Sequence, residues 1–372
     1  MAYQAVLCAV IVFLAWSAIH NAAENLARAK IATGFGFWDN TAGFDISQTL
    51  IDYSTTSTYG RAFWVGLINT LLVAGLGIVL ATILGFLIGI ARLSKNWLIA
   101  RMAGVYVETI RNIPLLLQLL FWYNAVLKAL PAMRESLAIP GGGFLNNRGL
   151  FLPQPVFQAG SQYAVIALGL GVAAAIGYRT WAVRRQMRTG QQAPVLWVTL
   201  GLVIALPLAV LALSGFPITF NYPEAGRFNI RGGMEILPEF MALLFGLVIY
   251  TASFIAEVVR AGILAVARGQ TEAAYSLGLR PGQTLRLVVI PQAMRVIIPP
   301  LTSQYLNLTK NSTLAVAIGY PDLVQIFAGT VLNQTGQAVE VIVITMAVYL
   351  TISLVTSGLM NLYNRRMALV ER

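Results

Sequence analysis

Residues 268–291 read RGQTEAAYSLGLRPGQTLRLVVIP and form a polar, arginine-bearing segment between strongly apolar stretches. Thr271 can cap the start of a helix, and Glu272 would then lie in the first turn, where a carboxylate suits the positive end of the helix dipole. Gly278 and Pro281 are typical of a helix end. The segment therefore predicts a short helix of roughly two turns, about 10 Å long at 1.5 Å per residue.

One side of this predicted helix is small and apolar. Ala273, Ala274 and Leu277 are brought together by their i, i+3 and i, i+4 spacing. A flat surface of this kind can enter a shallow cleft on another protein. The stretch is the part of the chain most suited to contact with a partner.

The composition indicates an integral membrane protein. Of the 372 residues 58% are hydrophobic and 10% are charged, whereas soluble domains carry about 25% charged residues. The net charge of +11 comes from short basic clusters at the ends of apolar runs, which orient membrane spans and do not form a nucleic-acid groove. We therefore expect contact with membrane lipid and no nucleic-acid partner. A single cysteine and a single histidine leave no disulfide framework and no metal site to predict.

Eight apolar stretches are each about long enough to cross a hydrocarbon core of roughly 30 Å. Their approximate bounds are 3–20, 62–91, 105–128, 162–179, 194–213, 239–260, 291–309 and 338–361. The predicted fold class is all-α, with about eight transmembrane helices. In the second stretch, Gly77, Ala81, Gly85 and Gly89 recur every four residues, a spacing that permits close helix contact in lipid.

The arginine and lysine residues are distributed unequally between the two sides of the predicted membrane spans. With the amino terminus on the cytoplasmic side, fifteen of the basic residues fall in inside segments and nine fall in longer outside segments. The positive-inside rule then predicts that both termini, and residues 268–291, are cytoplasmic. The outside segments 21–61 and 129–161 are rich in Gly, Asn, Ser, Thr and aromatic residues and predict structured, uncharged caps.

Residues 268–291 also carry a recognisable spacing: EAA, three residues, G, nine residues, then an aliphatic residue, any residue, an aliphatic residue and P. These positions are Glu272, Ala273, Ala274, Gly278, Val288, Ile290 and Pro291. The segment resembles the cytoplasmic EAA loop of permease subunits in bacterial ATP-binding-cassette importers. In that family the loop carries a coupling helix, which docks in a cleft of the ATPase subunit and converts its closure into rocking of the membrane helices.

Three further strings narrow the resemblance to the polar amino acid branch. They are ETIRNIPLLLQLLFWY (108–123), TASFIAEVVRAGI (251–263) and LNLTKNSTLAVAIG (306–319). The chain is most similar to permeases for general L-amino acids or for glutamate, glutamine, aspartate and asparagine. The implied organisation is an N-terminal anchor helix and periplasmic loop (1–61), a first core part (62–128), an insertion with two predicted transmembrane helices (129–238), and a second core part with the EAA loop (239–372).

The resemblance implies a type I importer permease fold in the bacterial inner membrane and a set of partners. These are a second permease subunit, expected to be a different chain, two ATP-binding subunits, and a periplasmic amino-acid-binding protein. The chain itself lacks a G-x-x-x-x-G-K-S/T motif. ATP and magnesium are therefore expected on the partner ATPases, with no cofactor and no enzymatic activity in this chain.

Two E-x-x-R pairs, Glu108 with Arg111 and Glu257 with Arg260, are predicted to lie at the same cytoplasmic level of the membrane. Residues three apart on a helix can form an ion pair, and ionisable groups at membrane depth face the protein interior. The pairs are interpreted either as structural clamps, the favoured reading, or as parts of an inner gate.

A polar stretch near the opposite side of the membrane is the candidate substrate pathway. Its residues are Gln304, Tyr305, Asn307, Lys310, Asn311, Ser312 and Thr313. Such side chains could hold the ammonium and carboxylate of an amino acid, and Lys310 could favour an acidic side chain or simply extend to the interface.

Two other classes compete with the importer subunit. An ion-coupled secondary amino acid transporter would require acidic residues near the middle of the membrane and inverted repeats, and neither is visible in the sequence. A membrane enzyme would need convergent nucleophiles or metal ligands, which this composition does not supply.

Overall fold

The computed structural model describes residues 2–28, 33–226 and 229–367. The chain is mostly helical, at 72%. The α-helices are α1 (Ala2–Arg28), α2 (Tyr59–Ala91), α3 (Trp97–Asn112), α4 (Leu115–Leu120), α5 (Gln162–Thr189), α6 (Val195–Leu200), α7 (Leu206–Leu213), α8 (Pro238–Leu264), α9 (Arg268–Ser276), α10 (Pro281–Thr284), α11 (Ile290–Asn311), α12 (Leu332–Thr335) and α13 (Ala338–Met367). Wider π-helical turns occupy Phe121–Leu127, Gly201–Ala205, Leu285–Val289 and Val324–Val331, and 3₁₀ turns occupy Gly36–Asp39, Met133–Glu135 and Ser312–Ile318.

Among the described residues, six helical segments are long and apolar enough to cross a membrane, and a bent pair makes up to seven. They are Tyr59–Ala91, Gln162–Thr189, Val195–Leu213, Pro238–Leu264, Pro281–Ile318 and Ala338–Arg365, with the bent pair at Trp97–Leu127. The expected first span falls in α1, whose apolar part, Tyr3–Ala18, is shorter than the others. The prediction of a helical membrane protein is confirmed, while the expected count of eight is approximate.

The chain divides into two compact units, residues 1–129 with 237–372, and residues 130–236. In the second unit, α5 packs against α7 and the π-turn before it. The same unit contains the short strands β1 (Leu137–Ile139), β2 (Gly143–Asn146), β3 (Gly149–Leu152), β4 (Gln154–Phe157), β5 (Ile218–Asn221), β6 (Glu224–Ala225), β7 (Ile230–Arg231) and β8 (Met234–Ile236).

All the strand pairs are antiparallel. Strands β1, β2, β3 and β8 form one sheet in that order, and β4–β5 and β6–β7 form two smaller ones. Asn146 begins the turn between β2 and β3 by accepting the amide of Arg148 at 2.8 Å, a typical use of an Asn side chain in a tight turn. The all-α prediction missed these strands, although segment 129–161 is structured as expected.

The expected span at 105–128 is strongly bent. Helix α3 ends at Asn112 and the chain bends by 104° before Leu115. Pro114 disfavours helical backbone at the residue before it, and Ile113 is extended, with φ −100° and ψ 126°. The side chain of Gln118 donates to the carbonyl oxygens of Ile110 and Ile113, both at 2.9 Å. These bonds satisfy backbone acceptors that the break would leave without partners.

The first unit is organised by the contact of α2 with α8, and α8 in turn packs on α11. A Cβ added at Gly85 would lie 2.6 Å from Ile255, and one at Gly89 would lie 2.7 Å from the carbonyl of Ala256. Gly77 approaches Leu308 of α11 in the same way. The four-residue series of small side chains is therefore a contact face, as its spacing indicates.

Residues 33–58, which we name the cap, pack on the beginning of α2 and on the π-turn Val324–Val331. Phe37, Ala42 and Ile46 of the cap are buried against Phe63 and Phe327. The tight fit explains Gly60, where a Cβ would lie 2.4 Å from the ring of Trp38. The cap is thus a structured part of the first unit.

A buried polar network joins the cap, α2 and the non-helical segment 319–322. Asn69 donates to the carbonyls of Gln48 and Pro321, each at 2.9 Å. Asp322 is fully buried and accepts the amide of Gln325 at 2.8 Å. Burial raises the pKa of the Asp322 carboxyl to about 7, against the lowering effect of that amide. The irregular segment is therefore held by hydrogen bonds on both sides.

We expect Gly85→Ala to destabilise the protein because the new methyl group must displace Ile255. Overpacking of this kind costs about 1–3 kcal/mol. Thermal unfolding in detergent is the measurement. Gly75→Ala is the matched control, since a Cβ there meets nothing within 4 Å. Equal melting temperatures for the two variants would show that this helix contact is not close.

Candidate functional site

Helix α9 is the short polar helix expected from residues 268–291, but it begins earlier than expected. It runs from Arg268 to Ser276, and Ala267 precedes it without a side-chain cap. Nine residues correspond to about 13 Å of helix. Thr271 is therefore inside the helix and Glu272 is beyond its first turn, so the predicted cap and first-turn positions are wrong. Residues 265–267, which include a turn, separate this start from the end of α8.

The end of α9 agrees with the prediction for Gly278. This residue has φ +77°, a conformation that glycine adopts without strain. Its amide donates to Tyr275 at 2.9 Å, and the amide of Leu279 donates to Ala274 at 3.1 Å. This pair of bonds is a Schellman motif. A side chain at position 278 would strain the backbone that ends the helix.

Most of α9 is exposed. Glu272 and Ala273 are exposed, and Leu277 is 82% exposed, while Ala274 is 3% exposed. The three residues of the expected face therefore do not share one environment. Ala274 packs within the chain, whereas Ala273 and Leu277 are exposed. Gln292 of α11 donates to Gln270 at 3.2 Å and links the two helices.

The remaining part of the segment leads back to a long helix. Arg280 precedes α10, and its amide donates to the side chain of Gln283 at 3.0 Å. The π-turn Leu285–Val289 follows, and Pro291 occupies the first turn of α11, where a proline is tolerated.

Glu257 is the centre of an ion cluster that joins α2 to α8. Its Oε1 accepts Arg260 Nη2 at 2.6 Å, and its Oε2 accepts Nη1 of Arg92. All three side chains are at most one-third exposed. The i, i+3 pairing of Glu257 with Arg260 was predicted from the sequence. The role of Arg92 was missed, since it was counted only among the basic residues that orient the chain.

Glu108 and Arg111 differ from that pair. Both are exposed in the last turns of α3, and among the described residues no ion pair joins them. Arg111 instead places its guanidinium over the ring of Phe254, 4.9 Å from the centroid, a cation–π geometry. The two E-x-x-R motifs are therefore not equivalent in structure.

Three of the candidate pathway residues line one groove. Gln304, Asn307 and Asn311 follow each other at i, i+3 and i+7 on α11. Across the groove, α8 contributes Tyr250, Thr251 and Phe254, and the space is about 320 Å³. The α8 residues were missed as site residues, although TASFIAEVVRAGI contains two of them. Polar amide groups facing an aromatic wall can bind a small polar solute.

The other candidates point elsewhere. Tyr305 shares a 2.8 Å hydrogen bond with Thr82 of α2. Ser312 is buried and donates to Thr309 at 2.8 Å, and Thr313 donates to Lys310 at 2.7 Å. Lys310 is exposed. Among the described residues, no group of three or more histidine, cysteine or acidic side chains is placed to hold a metal ion.

Long apolar helices, a close small-residue contact between them, and a short exposed polar helix between two of them define a multi-pass integral membrane protein. Residues 165–369 match the family described as "Binding-protein-dependent transport system inner membrane component". The chain belongs to this family. The recognition of a permease fold from the EAA spacing is thereby confirmed.

Three relatives match nearly the whole chain. The general L-amino acid transport system permease protein AapQ of Rhizobium johnstonii is 55% identical, over 100% of this chain and 92% of its own length. The putative amino-acid ABC transporter permease protein YhdX of Escherichia coli is 52% identical, over 98% and 92%. The glutamate/glutamine/aspartate/asparagine transport system permease protein BztB of Rhodobacter capsulatus is 44% identical, over 95% and 90%.

We expect Glu257→Gln to lower stability, because Arg92 and Arg260 would lose their shared charged partner. Hydrogen bonds to charged groups contribute about 1.5–3 kcal/mol, and partial exposure places the expected loss at the lower end. Thermal unfolding of the purified protein measures it. Glu108→Gln is the control and should melt like the wild type. An unchanged melting temperature for Glu257→Gln would contradict the clamp, whereas altered transport and basal ATPase activity at unchanged stability would favour the gate.

Proposed function

We propose that this chain is the transmembrane permease subunit of an ATP-driven amino acid importer. The observation that carries the proposal is its full-length similarity to three permeases whose names specify amino acids. In this assembly the chain pairs with a second, different permease subunit. It receives amino acids from a periplasmic binding protein and is driven by two ATP-binding subunits, which hold ATP and magnesium. The assembly lies in the bacterial inner membrane.

The work of the chain is to open and close a path. Closure of the ATPases draws the coupling helices together and opens the path outward, and hydrolysis returns it to the inward state. We propose α9 as the coupling helix, with Glu272, Ala273, Ala274, Gly278 and Pro291 in the docking segment. Its exposed Leu277 and its fixed end at Gly278 support this role, since a docking helix needs an uncovered surface and a rigid backbone. Ala274 supports the helix from inside.

The direction of the chain in the membrane is part of the proposal. Both termini and α9 are assigned to the cytoplasmic side by the distribution of basic residues. Residues 1 and 368–372 lie outside the described part of the chain. With this orientation, the cap, segment 129–161 and the segment between α11 and α13 are assigned to the outward side. The rival, an ion-coupled secondary transporter, is not favoured by the family match.

The groove between α8 and α11 is the proposed substrate path. Gln304, Asn307 and Asn311 supply amide donors and acceptors for the ammonium and carboxylate of an amino acid, and Phe254 supplies an apolar wall. Arg111 places a positive charge beside that wall. Lys310 does not line the groove. Its effect on a substrate is therefore limited to electrostatic attraction of a negatively charged side chain.

Uptake by the reconstituted assembly tests the function. With the binding protein outside and ATP inside, vesicles should accumulate amino acids. Glu272→Lys should reduce this uptake about tenfold, which corresponds to about 1.4 kcal/mol of lost coupling. In this variant the ATPases should either continue to hydrolyse ATP without transport or dissociate from the permease. A bulky residue at Gly278 should have the same effect. A panel of amino acids defines the substrates.

Glu135→Lys, which reverses a charge in the other unit, is the control for that experiment and should transport normally. Uptake driven by an ion gradient without ATP would overturn the importer proposal. Normal coupling and normal ATPase assembly in Glu272→Lys would leave the importer intact and refute the assignment of α9.

The groove has its own test. Asn307→Leu should raise the substrate concentration for half-maximal uptake about tenfold, since loss of one such polar contact costs about 1.4 kcal/mol. Tyr305→Phe is the matched control, because this side chain contacts Thr82 and does not line the groove. Lys310→Met should weaken uptake of acidic amino acids only. Wild-type uptake by Asn307→Leu would exclude the groove as the path.

A further inference from the structure

A second polar cavity lies between the cap and the turn before α13, away from the α8–α11 groove. We name it the cap cleft. Its lining includes Asn40, Thr41, Tyr59, Gln334 and Gln337, and its volume is about 480 Å³. The Tyr59 hydroxyl donates to Gln334 at 2.9 Å and holds one wall. The cleft is a built feature of the first unit.

One acceptor atom in the cleft, and a second one on a residue three positions further along the chain, are buried without a partner among the described residues. Gln337 lines the cleft and is 9% exposed, and its Oε1 has no hydrogen-bond partner among the described residues. Glu340, in the first turn of α13, accepts the amide of Gly34 with Oε1, while its Oε2 has none. Buried acceptors without donors are unfavourable. The cleft therefore has unused capacity to accept hydrogen bonds.

The cap that forms one wall of the cleft is acidic, although the chain as a whole carries +11. The cap contains Asp39, Asp45 and Asp52, all exposed, and no lysine or arginine. The expectation of an uncharged cap is thus wrong. Among the described residues no ion pair joins these aspartates to a cation. The neighbouring Arg61 donates its Nε to the backbone carbonyl of Asp52 at 2.8 Å and offsets part of the negative charge of the cap.

We propose that the cap cleft receives a lysine or arginine side chain of the substrate-delivering binding protein, with Gln337 and Glu340 as its acceptors and the cap aspartates as the attracting surface. This inference rests on the proposed function and on the outward orientation of the cap. A cationic side chain supplies several N–H donors for the unpaired oxygens and one positive charge that the cap aspartates attract. Such charge complementarity accelerates the encounter of two proteins and sets the register of docking.

The test measures binding of the amino-acid-loaded binding protein to the complete assembly in nanodiscs, by surface plasmon resonance. Glu340→Gln and Gln337→Leu should each raise the dissociation constant about tenfold. The triple change Asp39→Asn, Asp45→Asn, Asp52→Asn should slow association and reduce its dependence on salt. Because all three aspartates are exposed, this variant keeps the test valid if a buried variant fails to assemble.

Glu224→Gln removes one exposed negative charge from the other unit and is the control; it should bind like the wild type. Uptake at saturating binding protein should be unchanged in every variant, because docking and not the path is altered. If the cleft variants bound the binding protein with wild-type affinity, the docking inference would be overturned. ATP-driven uptake by the wild-type assembly would still support the importer function. Absence of wild-type uptake would instead overturn the function.

A free ligand gives a separate outcome. Methylguanidine or free lysine should compete with the binding protein only weakly, at millimolar concentration. Neither molecule makes the additional contacts with the cap that a docked protein would make. If the cleft variants changed the amino acid concentration that gives half-maximal uptake at saturating binding protein, the cleft would be a substrate-binding site on the translocation pathway. That result would also overturn the docking inference.

Discussion

The close contact of α2 with α8 is the interaction on which the membrane part of the first unit depends. Lipid chains are as apolar as leucine, so helices gain little by hiding apolar side chains and associate through close packing instead. Gly85 and Gly89 allow the backbone of α2 to approach Ile255 and Ala256. At one end of this contact, Arg92 and Glu257 add a charged link. Packing and charge together position α8, whose other faces meet α3 and α11.

The same absence of water explains where the backbone is irregular. A break in a spanning helix needs other donors for its freed carbonyls, and Gln118 supplies them beside Pro114. The segment 319–322 is satisfied by Asn69 and by the amides around Asp322. No lysine or arginine occurs between 311 and 340, so the buried Asp322 carboxyl has no cation near it in sequence. These polar side chains permit bends that hydrocarbon alone would forbid.

The sequence predicts features that depend on local chemistry and misses those that depend on distant contacts. Gly278 could be predicted to end α9 because the helix end depends only on the backbone conformation of this residue. The small residues repeated every four positions in α2 could likewise be predicted to form a contact face, because their spacing alone places them on one side of the helix. The start of α9 was misplaced because no capping side chain marks it. In the candidate groove, the polar face of α11 is visible as a period, whereas Thr251 and Phe254 face it only after α8 and α11 are packed. The strands near Asn146 are short and follow no long alternation.

The exposed end of α9 has a consequence for the life of the subunit before assembly. Leu277 and Tyr275 present apolar surface beside a helix whose backbone is fixed by its final glycine. An uncovered apolar patch on an aqueous face favours non-specific association. A newly inserted chain with no partner would therefore expose a site that chaperones and proteases recognise. If α9 is the proposed coupling helix, docking of the ATPase subunits would conceal this surface, so exposure of α9 would distinguish unassembled chains from assembled ones.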